Sequence, residues 1–230
     1  MTDVTLVAGT YVEWYDITTG TWKRVPRLTS VGETGYMADA KEKTTVEDRF
    51  KRYGVGIRDG GEKNFMGQYI PPQSAGSEHT TDFGLQQEWL NQVDMETEME
   101  MRTTFPNLRR STYTFQALGY KFEDGNQEEW VMFDAMGRQN GRPIWTDAPE
   151  LSAITLDGEA SMSVGDGEQL TVTNTPLDAF YEVNEDRFAS SAPAIVSVTK
   201  WGYVRAIASG SATITVTRGM QTSTFEITVS

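Results

Sequence analysis

Residues 93–102 read Val-Asp-Met-Glu-Thr-Glu-Met-Glu-Met-Arg, an alternation of apolar and acidic side chains that few backbones can accommodate. Successive side chains of a strand point to opposite faces, so this spacing predicts a half-buried strand. Val93, Met95, Thr97, Met99 and Met101 share one face, and Asp94, Glu96, Glu98 and Glu100 share the other. Same-face neighbours on a strand lie about 7 Å apart, where two unit charges repel by about 0.6 kcal/mol in water and about 2.4 kcal/mol at an effective dielectric of about 20. A folded monomer gains nothing from such a row. It is either a solvated sheet face with cations on neighbouring strands or a wall that repels something.

The returning strand bears on that choice. Residues 112–122 are expected to pair back through a turn at Phe105-Pro-Asn-Leu-Arg-Arg110, with Met101 opposite Tyr113 and Met99 opposite Phe115. The apolar faces then match, Glu100 and Glu98 meet Thr114 and Gln116, and no cation answers them from the hairpin side. This favours the wall.

The chain's 230 residues, 38% of them hydrophobic, suffice for one large or two ordinary domains. The sequence holds no apolar run of the roughly 18 residues that a membrane helix needs. Met1-Thr2-Asp3-Val4 lacks the basic start and apolar centre of a signal peptide, so a soluble chain not exported by the usual route is expected. Without cysteine, disulfides and thiolate metal sites are excluded. Residues 1–150 carry 16 Lys and Arg against 24 Asp and Glu, and the remainder carries 4 against 9, so the net charge of −13 is shared. Affinity for a phosphate backbone comes chiefly from Lys and Arg displacing counterions, so any contact with DNA should be non-adhesive.

No catalytic pattern emerges. Tyr53-Gly-Val-Gly-Ile57 approaches a dinucleotide-binding fingerprint, but Asp59 stands at the third glycine position and no βαβ pattern follows. His79 is the sole histidine and has no cysteine or second histidine to form a metal cluster or a base and nucleophile pair. The carboxylates lie in file without a paired acid and base environment, so neither an enzyme nor a cofactor is expected.

Taken in order, residues 11–15 and 22–25 read as a hairpin around Gly20, with Pro26 limiting the second strand. Residues 32–51 have few large apolar side chains and many charges: Glu33, Asp39, Lys41, Glu42, Lys43, Glu47, Asp48, Arg49 and Lys51. Such a segment is either a flexible loop or one that orders against a partner subunit. A strand is expected at 65–70 and a helix at 83–92, capped by Asp82 and carrying the stripe Leu85, Trp89 and Leu90. A further strand follows at 129–134. Gly137-Arg-Gln-Asn-Gly-Arg-Pro143 and Asp147-Ala-Pro149 hold the densest breaker signals, which divides the chain into domains 1–146 and 147–230. Beyond them, short alternating strands at 151–156, 168–174, 195–198, 202–206, 212–217 and 224–229 predict a small antiparallel sandwich.

Two resemblances extend these readings. Ser190-Ser191-Ala-Pro193, Val196, Val198, Gly202, Val204, Ala206, Gly210, Ala212, Ile214 and Val216 give the second domain a pattern that resembles the bacterial immunoglobulin-like family, group 2. Phe188 and Ala189 stand where that family carries a tryptophan. The resemblance implies a seven-strand sandwich used in surface adhesins and as decoration on phage particles. In the first domain the charged segment 32–51, the glycine-rich turn and strand to Tyr69, the helix with Leu85 and Leu90, and the hairpin through Phe105-Pro-Asn107 to Gly119-Tyr-Lys-Phe122 resemble the major tail tube protein of long-tailed, non-contractile, lambda-like phages. Some members of that family end in a group 2 immunoglobulin-like domain.

The fold class implied is mainly β, a tail-tube sandwich or barrel with one flanking helix followed by an immunoglobulin-like sandwich. The resemblance further implies six-copy rings stacked into a hollow tube, with Asp94, Glu96, Glu98 and Glu100 facing a lumen through which double-stranded DNA passes unbound. The segment 32–51 would contact the next ring. Implied partners are further copies of the chain and the tape measure, tail terminator and tail-tip proteins, in a virion tail assembled in the host cytoplasm. Host-surface carbohydrate is a contact open to the immunoglobulin-like domain. Competing readings are a cell-surface adhesin or carbohydrate-binding module, and the tube of a contractile secretion system.

Overall fold

The computed structural model describes residues 9–35, 37–45, 50–73, 80–123, 131–181 and 186–230. Glu47, Asp48, Arg49, His79 and the start of the strand expected at 129 lie outside the described residues. Within the described residues the chain is mainly β with one α-helix, the expected class. It divides into two compact units. One gathers the described residues up to Ile70 with those of Gly84–Phe105 and Arg109–Thr146; the other gathers those of Pro71–Phe83, Pro106–Leu108 and Asp147–Ser230.

The elements up to Asp147 are Tyr11–Asp16 (β1), Thr21–Arg24 (β2), Leu28–Val31 (β3), Met37–Glu42 (β4), Tyr53–Asp59 (β5), Glu62–Gln68 (β6), Thr80–Asp94 (α1), Glu98–Thr104 (β7), Arg109–Glu123 (β8) and Met132–Asp147 (β9). Seven of these strands form one sheet in the order β2-β1-β7-β8-β9-β6-β3, while β4 pairs with β5 alone. The sheet's edges, β2 and β3, are joined only by Val25, Pro26 and Arg27. A flat seven-stranded sheet would hold its edges about 29 Å apart, whereas four peptide steps reach at most about 14 Å. The sheet therefore curls until its edges approach, as a barrel does.

The inner face of this curl carries Val12, Trp14, Phe65, Met99, Met101, Tyr113, Phe115 and Phe133, closed by Trp89, Leu90 and Val93 of α1. The Trp89 ring stands edge-on to Phe65 with centroids 5.8 Å apart. Gln86, buried beside them, uses its amide to hold Ile70 N and Gln68 O, both at 2.8 Å, which fixes the end of β6 to the helix.

The β7–β8 register is the expected one, Met99 opposite Phe115 and Met101 opposite Tyr113. The extent of β7 is a correction. α1 continues through Asp94, because Val93 lies one turn beyond Trp89 and prolongs the buried stripe with no exposed surface. Glu96 then takes a left-handed φ of 52°, which turns the chain, and the strand begins at Glu98. Asp94 belongs to the last turn of the helix and Glu96 to the turn, so the strand's acidic file is reduced to Glu98 and Glu100.

Two other expectations are corrected. Within the charged segment 32–51, expected as a loop, residues 37–42 form a strand: β4 holds Asp39, Lys41 and Glu42 and pairs antiparallel with β5 as a separate arm. The breaker-rich run 137–143 lies inside β9, because of its glycines only Gly141 takes a positive φ, 72°.

Lys63 sits on the inner face of β6 with no exposed surface. Burial pulls its ammonium from the ordinary 10.5 to about 7. Between those values the unfolded chain holds a proton that the folded chain does not, so this group makes stability rise with pH across the window from 7 to 10.5. Urea midpoints measured through that window should climb, and Lys63→Met should flatten the slope; an unchanged slope in the variant would contradict the assignment.

The remaining elements are Ala153–Asp157 (β10), Ser161–Met162 (β11), Gly167–Gln169 (β12), Thr171–Thr175 (β13), Arg187–Ser190 (β14), Val196–Val198 (β15), Tyr203–Ala206 (β16), Gly210–Arg218 (β17) and Gln221–Val229 (β18). They form the sheets β11-β18-β17-β14, β12-β16-β15 and β10-β13. Ala212, Ile214 and Val216 alternate inward from β17 and meet Val196, Val204, Ile227 and Val229 in the core. Gly202 has φ 81°, and a Cβ there would stand 2.7 Å from the Phe188 ring, so the turn before β16 requires glycine on both counts. Arg218, at the end of β17, is buried with both carboxylate oxygens of Asp186 and Asn174 Oδ1 on its guanidinium.

Candidate functional site

The sheet has two unlike faces, and the alternation of β7 decides which side chain goes where. Met99 and Met101 enter the core, while Glu98 and Glu100 are exposed on the face away from α1. Across β8 they meet Gln116 and Thr114, both uncharged and half-buried. Asn140 of β9 donates to Glu98 Oε1 at 3.1 Å.

Nearby cations are engaged elsewhere. Arg102, two residues beyond Glu100, pairs with Glu13 and lies 4.3 Å over the Trp22 ring. Lys121 pairs with Asp134 at 3.6 Å, and Arg138 with Asp59 at 2.9 Å. Among the described residues no cation comes within ion-pair distance of Glu98 or Glu100. The balanced, solvated face therefore fits this strand poorly, and an open polar face with two uncompensated carboxylates fits it well.

The second feature is the arm. Its strands run Met37 opposite Asp59 to Glu42 opposite Tyr53, with an irregularity between Ala38 and Ala40. Met37 is 81% exposed, Tyr53 60% and Val55 72%, and Phe50 in the connection between the strands is 84% exposed. A lone two-stranded hairpin is marginal in water, and large apolar side chains left outside add no stability to it. Glu42 and Lys51 form an exposed pair at 3.5 Å, an arrangement worth little. Lys43 follows β4, and Glu33 precedes it. The sequence drew attention to the arm's charges, but its apolar residues distinguish it. Their signal lies in the alternation Tyr53-Gly-Val-Gly-Ile57, whose glycine spacing also approaches a nucleotide-binding motif.

Among the described residues no group of His, Asp and Glu is placed to hold a metal ion, and no helix is long and apolar enough to cross a membrane. In the second unit Ser190 closes β14, Val196 and Val198 form β15, and Ala212 and Ile214 face inward from β17. Gly210 opens β17 at φ 142°, and Ser191 Oγ accepts from Thr213 N at 2.9 Å. Those signature residues thus serve the sandwich.

No curated protein matches the chain by sequence. By fold the chain is similar to a chain from the virion of a native gene transfer agent particle, at 13% identity and TM-score 0.44 over 60% of this chain and 95% of that one. It is similar to the SPP1 tail tube at 11% identity and TM-score 0.43, over 60% and 77%. A chain of the sheath–tube complex of an extracellular contractile injection system gives 10% identity and TM-score 0.44, over 63% and 92%. Residues 152–229 match the family model of the bacterial Ig-like domain (group 2).

Proposed function

We propose that the chain is a structural subunit of a virion tail tube, assembling as stacked rings around a channel for double-stranded DNA.

 The single observation carrying this reading is the outward pair Glu98 and Glu100 on an open sheet face, with no cation among the described residues to neutralise them. With six copies to a ring, as the sequence resemblance implies, two carboxylates from each subunit would place about 12 negative charges around the lumen. A duplex carrying one charge per roughly 1.7 Å then passes without adhering, whereas a basic lumen would hold it by releasing counterions.

The arm supplies the contact between rings, its exposed Met37, Phe50, Tyr53 and Val55 covered by the next copy and its charges lying at the rim of that contact. Ring contacts close on themselves and stacking contacts do not, so one subunit needs both kinds. The immunoglobulin-like domain decorates the outside of the tube, where weak contacts with host-surface carbohydrate gain from many copies. Tape measure, terminator and tail-tip proteins are the further partners in this reading, and assembly takes place in the host cytoplasm. The test is negative-stain microscopy of the purified protein, seeded with tail tips. Long hollow tubes with a lumen wide enough for a DNA duplex are expected; subunits that stay monomeric at high concentration with the seeds present would contradict the reading.

A further inference from the structure

Both roots of the arm are tied to the sheet by buried side chains. On the incoming side, the Lys63 ammonium donates to Gly32 O at 2.8 Å, Glu33 O at 3.0 Å and Thr34 Oγ1 at 2.6 Å. Those three acceptors use all three of its protons. It also lies 4.5 Å from the Tyr113 ring centroid and 5.6 Å from that of Phe65, positions where a ring face favours a cation. No carboxylate pairs with it among the described residues. One residue further on, Gln139 Nε2 donates to Gly35 O at 2.7 Å. On the outgoing side, Gln139 N donates to Gly61 O at 3.1 Å, and a Cβ on Gly60 would stand 2.3 Å from Gln139 O, so only glycine permits that approach. Arg138 adds its ion pair to Asp59, the last residue of β5.

We infer that Lys63 and Gln139 are positioning residues that form a two-point clamp, fixing the direction of the arm before it meets another copy. A buried lysine without a counter-ion is a costly way to fill a core, and an apolar residue of similar length would pack there without the desolvation. The charge is explained by what it holds: a short run of backbone, 32–34, that has few other ties to the sheet and from which β4 departs. Pre-setting the arm lowers the ordering cost of docking, so the clamp acts on assembly and not on the fold of the sheet.

The inference rests on the arm being a contact between copies only for its purpose; the clamp itself can be tested in dissociated subunits. The chain has no cysteine, so a pair of spin labels can be placed on Val55→Cys in the arm and Leu118→Cys in β8, both exposed positions. Electron double resonance should give one narrow distance in the labelled parent and a distribution broadened severalfold by Lys63→Met, with circular dichroism unchanged. Gln139→Ala and Thr34→Ala should broaden it less. If Lys63→Met does not fold, these two variants decide. An unchanged distribution in the folded variants, or a broad one in the parent, would overturn the clamp even if tubes form, and a narrow parent broadened by the variants in a protein that never polymerises would uphold the clamp while removing the tube.

Discussion

Particles whose tube protein carries Glu98→Lys together with Glu100→Lys are expected to build tails of normal length and to release their DNA at least about tenfold more slowly, because each reversed side chain becomes a phosphate-binding cation. Both positions are exposed and face uncharged Thr114 and Gln116, so the fold tolerates the change; surface substitutions of this kind shift stability by about 0.5 kcal/mol or less. Glu98 also loses the hydrogen bond from Asn140, a small further cost. The delay should shrink steeply as salt is raised, since counterion release drives the new adhesion. Ejection kinetics recorded against ionic strength provide the check. A delay that does not respond to salt would assign the effect to the tube's assembly, and unaltered kinetics would remove the carboxylates from the path of the DNA.

The second large effect is expected from the arm. Tyr53→Asp with Val55→Asp places two carboxylates on one side of β5, at positions now exposed in the subunit, so the isolated protein should fold as before. In an assembled contact the same positions would be buried. Each substitution then forfeits about 1.5–3 kcal/mol of apolar burial and adds a charge that the contact must desolvate. Polymerisation should be lost over the concentration range in which the parent forms tubes, with sedimentation showing subunits or single rings. Tubes of ordinary length from this variant would show that the arm is not a contact between rings.

How far the sequence could be read depended on whether a residue's period had a single interpretation. Met99, Glu100 and Met101 alternate against Tyr113, Thr114 and Phe115, and only one register buries both apolar sets, so the hairpin was legible to the residue. Val93 fits two periods at once, two residues before Met95 in a strand and four after Trp89 in a helix. Tertiary burial settled it for the helix, and the acidic file shortened accordingly. The arm's apolar residues Met37, Tyr53 and Val55 stand among many charges and stay exposed, so they show no buried face in the sequence; the pairing of β4 with β5 is a backbone matter that composition conceals. The run 137–143 misled for the opposite reason, since glycine and proline mark turns only where the backbone needs them, and β9 passes through most of this run in extended form. Lys63 and Gln139 carried no local signal at all. Their partners lie about thirty and about one hundred positions away in the chain, and only the folded sheet brings them to the arm's roots. In the second unit β17 was legible because inward Ile and Val alternate with outward Thr and Ser along it, whereas the single strand expected at 168–174 is two, β12 and β13, in different sheets.

The most direct measurement is an electron cryomicroscopy map of the assembled tube at side-chain resolution. Glu98 and Glu100 are expected on the lumen wall, lining the channel ring after ring with no lysine or arginine of a neighbouring copy beside them. Finding them on the outer surface, or joined to cations across a subunit contact, would contradict it.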